Sequence, residues 1–124
     1  MIEKLIEQAK KASLNAYAPY SGFKVGAALL TKSGKIFTGC NVENSSYGLT
    51  NCAERTAIFK AVSEGEKEFE HLVIYVDSPK LFTPCGACRQ VISEFSQELP
   101  VTIISQNENL ETDMGKLLPY TFKL

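Results

Sequence analysis

The sequence has no surplus of charge of either sign: 13 Lys and Arg stand against 14 Asp and Glu, for a net charge of -1 over 124 residues. A protein that grips a polyanion gains affinity by neutralising phosphates with clustered Lys and Arg. Nucleic acid is therefore disfavoured as a main partner, and a small ligand is favoured. Long apolar runs are also missing, and none approaches the ~20 residues of a membrane span. The first residues, Met1-Ile2-Glu3-Lys4, lack the basic-then-apolar plan of a signal peptide. Together these absences lead us to expect a cytoplasmic protein, whose four cysteines stay reduced rather than pairing as disulfides. There is one histidine, His71, and it opens an expected strand between Glu70 and Leu72. It is read as structural or solvated. Internal repeats, linkers and low-complexity segments are absent as well, so one domain over residues 1–124 is expected.

What is present alternates between helical and strand periodicity. Ile2, Leu5, Ile6, Ala9, Ala12 and Ala16 recur at three- and four-residue steps, which predicts a helix of about four turns ending before Pro19. Phe23–Thr31 reads as a largely buried strand, Ser33-Gly34 as a hairpin turn, and Ile36–Val42 as the returning antiparallel strand. A helix is expected from Cys52 to Glu64, stopped by Gly65, then a buried strand over His71–Asp77. A further helix is expected over Gly86–Leu99 and a strand over Val101–Ser105. After these come an antiparallel edge strand at Leu110–Thr112, a short helix within 113–118 and an aromatic tail from Pro119. The layout predicts an α/β fold with helices on both faces of a mixed sheet, a three-layer sandwich.

Three thiols, a carboxylate and a guanidinium fall in two short stretches, Asn51-Cys52-Ala53-Glu54-Arg55 and Pro84-Cys85-Gly86-Ala87-Cys88. Each stretch is expected to open a helix, where backbone N–H groups and the dipole stabilise thiolates. Cys85 and Cys88 are three apart, which directs both sulfurs the same way on a first helical turn. Cys52, Cys85 and Cys88 would hold one Zn²⁺ and leave a tetrahedral corner open, as a catalytic zinc requires. A structural site would need a fourth protein ligand. Cys40 is the candidate, but in a strand it reads as a small buried hydrophobe. Zinc lowers the pKa of a bound water to near 7, and Glu54, two residues after the first thiol, can take and relay the proton. A first-turn Glu can also merely complement the helix dipole; beside three thiols at this spacing, the catalytic reading is the one to test. Three thiolates leave excess negative charge, which a hydrogen-bonding cation would offset. Arg55 is the expected group, with Gln90 just beyond Cys88 as its companion.

Read together, these segments resemble the small homotetrameric zinc-dependent cytidine deaminases. The resemblance rests on Ala18-Pro19-Tyr20-Ser21, Phe23-x-Val25-Gly26-Ala27-Ala28, Gly39-Cys40-Asn41-Val42-Glu43-Asn44, the Cys-Ala-Glu-Arg stretch and Pro84-Cys85-x-x-Cys88-Arg89-Gln90. It implies a central five-stranded sheet flanked by helices, one zinc per chain, and hydrolysis of cytidine and 2′-deoxycytidine to uridine and 2′-deoxyuridine with loss of ammonia, a step of pyrimidine salvage. It also implies that Glu54 moves the protons, that Asn41 and Glu43 hold the ribose, chiefly at the 3′-hydroxyl, and that Phe23 lines the pocket. Ala53 would offer its N–H to the base. Phe122 and Tyr47 would reach a neighbouring subunit's site in a homotetramer. Deaminases of cytosine-nucleoside antibiotics such as blasticidin S share the zinc motif. The Asn41 and Glu43 pair favours an ordinary nucleoside.

Overall fold

Tyr17 decides where the first helix stops. Its N–H donates to Asn41 O and its carbonyl accepts from the Glu43 N–H, a short ladder that pulls the chain into extended conformation. Helix α1 (Ile2–Ser13) therefore ends before Ala16, although the apolar spacing runs on. In the computed structural model, which describes residues 1–124, strands β1 (Val25–Thr31) and β2 (Ile36–Cys40) follow as an antiparallel pair. After a 3-10 turn at Tyr47–Leu49 come α2 (Ala53–Ser63), β3 (Phe69–Val76) and α3 (Gly86–Phe95). The chain closes with β4 (Pro100–Ile104), β5 (Asn109–Asp113) and α4 (Met114–Leu117). No helix is long and apolar enough to cross a membrane.

The five strands form one mixed sheet in the order β2-β1-β3-β4-β5. β1 runs antiparallel to both neighbours, β3 and β4 are parallel across the α3 connection, and β5 returns antiparallel at the edge. Strand alternation sends Ala28 and Val73 to one face, against Leu5 and Ala9 of α1. Ala27, Leu29, Leu72, Ile74, Val101 and Ile103 go to the other, against Ala57, Ile58 and Ala61 of α2 and Ile92 of α3. The first cluster has 4 buried residues and the second 16. At about 1.5–3 kcal/mol for each large side chain fully buried, most of the hydrophobic stabilisation lies under α2 and α3. The thiol-bearing helices therefore sit on the better-packed side.

The layered α/β arrangement is the expected one, with adjusted ends. α3 stops at Phe95 rather than Leu99, because Ser96 is extended (φ -157°, ψ 122°) and Leu99 turns inward to 1% exposure. The Leu99 carbonyl then accepts from Met114 N–H at 2.9 Å, which ties that turn to the start of α4. His71 is structural: its Nε2 lies 2.8 Å from Thr102 Oγ1 across the β3–β4 pair. Gly26 and Gly39 set the layer spacing. A Cβ on Gly26 would lie 1.9 Å from Ala9 O of α1, and one on Gly39 would lie 2.5 Å from Ala53 O of α2. Backbone meets backbone at both contacts, one on each face of the sheet.

Candidate metal centre and adjoining cavity

Cys52 and Cys85 are the residues that cap α2 and α3 at their N-termini, and Cys88 is the third residue of α3. Both capping residues are extended (Cys52 φ -81°, ψ 159°; Cys85 φ -67°, ψ 167°), so their side chains project past the helix ends. Thr56 holds the α2 end in place, its hydroxyl donating to both Cys40 O and Cys52 O and accepting from Asn51 Nδ2. The three sulfurs lie within 4.8 Å of one another, with Cys52–Cys85 at 3.9 Å and Cys85–Cys88 at 3.5 Å. Zn–S bonds of 2.3 Å in tetrahedral geometry set sulfurs about 3.8 Å apart. The thiols therefore fit a zinc ion without rearrangement. Cys40 is outside the group and His71 is engaged with Thr102, so no fourth protein ligand is at hand.

Arg55 Nη2 donates to Cys52 Sγ at 3.2 Å and to Thr50 O at 3.4 Å. The Cys52 thiol is pulled down to about 5, by hydrogen bonding from Cys88 and then from Arg55, against the opposing effect of burial. The Cys88 thiol is pushed upward by its contact with Cys52 and by burial. Glu54, the second residue of α2, is 5% exposed. Burial pushes its carboxyl up to about 7, with a further contribution from the Cys52 thiolate. A carboxyl near neutrality beside a metal-binding thiol set can both accept and donate a proton. Gln90 is exposed and makes no side-chain hydrogen bond to the sulfurs, so of the two groups expected beside them only Arg55 is in contact.

A cavity of about 230 Å³ opens between this centre and the start of β1. It is smaller than the ~300–1,000 Å³ of drug-sized sites, which suits one small ligand. Cys52, Ala53, Glu54 and Cys85 line one end, and Ser21, Asn41 and Glu43 the other. Phe23 lies between, at 44% exposure. The Glu43 carboxylate accepts from Tyr20 N–H at 2.9 Å and Ser21 N–H at 3.1 Å through Oε1, and from the Ser21 hydroxyl through Oε2. These bonds, that of the Ser21 hydroxyl first, hold its carboxyl below the usual range. Asn41 is 8% exposed and braces the backbone: Oδ1 accepts from Val25 N–H at 2.9 Å and Nδ2 donates to Phe23 O at 2.8 Å. One N–H of its amide remains for a ligand. The Ala53 N–H opens α2 and has no acceptor within the helix.

Two of the residues expected to touch substrate do not line this cavity. Tyr47 is 85% exposed, in a shallow depression with Tyr20, Asn44 and Ser45, and Phe122 is 71% exposed on the tail. Conversely, Ser21 and Phe82 belong to the cavity and sequence reasoning passed over both. The available signals were a hydroxyl in the loop before β1 and an aromatic three residues ahead of Cys85.

Residues 1–103 match the family described as "Cytidine and deoxycytidylate deaminase zinc-binding region". The chain belongs to that family. Among curated relatives it is 53% identical to the cytidine deaminase of Sporosarcina psychrophila over 123 residues, 98% of this chain and 90% of that protein. It is 35% identical to a blasticidin-S deaminase of Bacillus cereus over 106 residues, 79% of this chain and 76% of that one. The crystal structure of a cytidine deaminase from Burkholderia pseudomallei superposes with a TM-score of 0.93 at 50% identity, covering 98% of this chain and 99% of that one. The deaminase fold and the zinc-binding region are thus those of this chain.

Proposed function

We propose that this chain is a cytidine deaminase that hydrolyses cytidine and 2′-deoxycytidine to uridine and 2′-deoxyuridine with release of ammonia. The observation that carries the reading is one cavity lined by the buried Glu54 carboxyl beside the thiol group and by the Glu43 carboxylate. Cys52, Cys85 and Cys88 would hold the zinc. When bound, the metal supplies Lewis acidity that brings the pKa of a water near 7.

Glu54, with a carboxyl near neutrality, would take the proton of the attacking water and deliver it to pyrimidine N3. It would then take the second water proton from the hydroxyl added at C4 and pass it to the amine as the C4–N bond breaks, so that one water is consumed and one ammonia released. The Ala53 N–H would hold the base. Glu43 already accepts three hydrogen bonds, stays ionised and has only acceptor capacity left, so it suits a sugar hydroxyl as donor. Asn41 would add its remaining N–H, and Phe23 would lie against the nucleoside. The Glu43 and Asn41 end also favours an ordinary nucleoside over the antibiotic substrate named for the Bacillus cereus relative.

The chains would assemble as homotetramers, with Phe122 and Tyr47 completing neighbouring sites. Their exposure, away from this chain's own cavity, supports that role. The deciding experiment is a zinc determination and a cytidine assay on the same sample. One zinc per chain with uridine and ammonia formed in equal amounts is expected. Zinc-loaded protein that leaves both cytidine and deoxycytidine untouched overturns the reading.

A further inference from the structure

Phe82 is the one aromatic ring of the cavity wall to which the chemistry above gives no task. It lies in the segment joining β3 to α3, three residues before Cys85, and is 43% exposed. A phenylalanine on a surface loop is ordinarily free to move, but this one is held on both sides. On one side Leu81 N–H donates to Glu108 Oε1 at 3.0 Å. On the other, Arg89 donates to Thr83 Oγ1 at 3.0 Å and to Pro84 O at 2.7 Å. Further back, Gln106 Nε2 donates to Asp77 Oδ1 at 2.8 Å. The backbone that carries Phe82 is thus preorganised by residues of α3 and of the β4–β5 turn.

The ring meets Phe23 at a centroid distance of 5.0 Å and an interplanar angle of 70°. Edge-to-face packing of this kind leaves a corner, in which a flat heterocycle can stack on one ring and meet the other edgewise. Position along the cavity assigns the corner to one part of the ligand. Glu43 and Ser21 mark the sugar end, and Cys52, Glu54 and Cys85 mark the reacting end. Phe82, Thr83, Pro84 and Cys85 line the cavity as one continuous stretch, which joins the Phe82 ring to the wall that carries the thiol.

We propose that Phe82 is a specificity-determining residue: with Phe23 it forms an aromatic corner against the pyrimidine and limits which ring substituents the site accepts. The inference rests on the nucleoside reading above. An apolar wall discriminates by volume, and one methyl group in or out of a filled pocket shifts selectivity by ~10–200-fold. Shortening Phe82 removes contact with the parent base and at the same time makes room for a bulkier one.

The test compares zinc-loaded wild type with Phe82→Ala, Phe82→Leu and Phe82→Tyr, using cytidine, 5-methylcytidine and N4-methylcytidine. For Phe82→Ala, a KM for cytidine raised about tenfold is expected, with kcat within about threefold. The kcat/KM of at least one methylated nucleoside relative to cytidine should rise about tenfold. Phe82→Leu should fall between, and it carries the test if the Ala variant does not fold; Phe82→Tyr should keep the wild-type ratios. Unchanged ratios in both the Ala and Leu variants overturn the proposal. Calorimetric binding of cytidine separates its failure from that of the parent reading. Wild type that binds without turnover refutes deamination and still scores Phe82 by the affinity ratios, whereas wild type that neither binds nor reacts refutes both.

Discussion

Arg55 Nη2 donates to Cys52 Sγ at 3.2 Å, while Nε of the same guanidinium is buried without a partner. A buried donor left idle is retained at a cost. Three thiolates around a divalent ion would leave one negative charge in excess, which a guanidinium in contact with them would offset. The arginine's own proton is bound more tightly than usual, chiefly through the Cys52 hydrogen bond. Removing Arg55 should therefore weaken metal binding before it disturbs the fold. Arg55→Ala should lose ~10–100-fold in zinc affinity, the range for partners of metal ligands, measured by competition with a chelator. Retention of zinc equal to wild type would refute the pairing.

Glu54 is buried with a carboxyl near neutrality, so a neutral isostere replaces it at little structural cost. Glu54→Gln should keep the fold and one zinc per chain. Its kcat should fall ~10²–10⁴-fold, the loss associated with a general acid–base group. Substantial turnover in a zinc-replete Gln variant would remove Glu54 from the proton pathway.

The Ser21 hydroxyl joins Glu43 to the entry of β1, donating to the Glu43 carboxylate and accepting from Phe23 N–H at 3.0 Å. Ser21→Ala should raise KM about tenfold and change kcat much less, because it loosens a binding group rather than a reacting one. The Glu43 carboxyl should also move back toward its ordinary value of 4.5. Its protonation would then weaken binding at higher pH than in wild type. A KM profile against pH, with Ser21→Thr as the conservative control, checks both effects.

The tail beyond Pro119 buries little of this chain's surface: Tyr120, Phe122 and Leu124 are all exposed. Deleting residues 120–124 should leave the thermal midpoint of the isolated chain within a few degrees, since surface changes stay within about 0.5 kcal/mol. Activity and assembly should both fall. Wild-type kinetics in the truncated protein would rule out a shared site.

His71 gives a pH dependence with a clear sign. Burial holds its imidazole below the ordinary 6.5, outweighing Glu111 and Glu70, which favour the charged form. The unfolded chain therefore takes up the proton first. The contribution to stability is complete above 6.5 and is lost as pH falls through the folded value. Urea midpoints at pH 7 and pH 5 should differ more for wild type than for His71→Gln. Because His71 is the only histidine, no other imidazole confuses the comparison. Equal slopes would sink the assignment.

Cys52, Glu54, Cys85 and Cys88 were legible in the sequence because their spacing is itself the chemistry: thiols placed on helix starts converge wherever the helices are packed. Ser21 and Phe82 were not, since their partners Glu43 and Phe23 lie 22 and 59 positions away and only the closed fold brings them together. The overlong α1 failed for a related reason. Periodicity continued through Ala16, but the Tyr17 ladder competes for the same backbone and wins. Tyr47 and Phe122 were named from the resemblance alone, and within one chain both rings are largely exposed.

Gly39 places the carbonyl of Ala53, the residue between Cys52 and Glu54, directly against the sheet. The depth of the reacting end below the cavity floor is thus set by one peptide thickness, not by the bulk of interchangeable side chains. Drift among the Leu, Ile and Val residues of the large cluster can exchange volume without resizing the site. A methyl at position 39 would act as a shim under the start of α2, displacing Cys52 and Glu54 relative to Cys85 and Cys88 on α3.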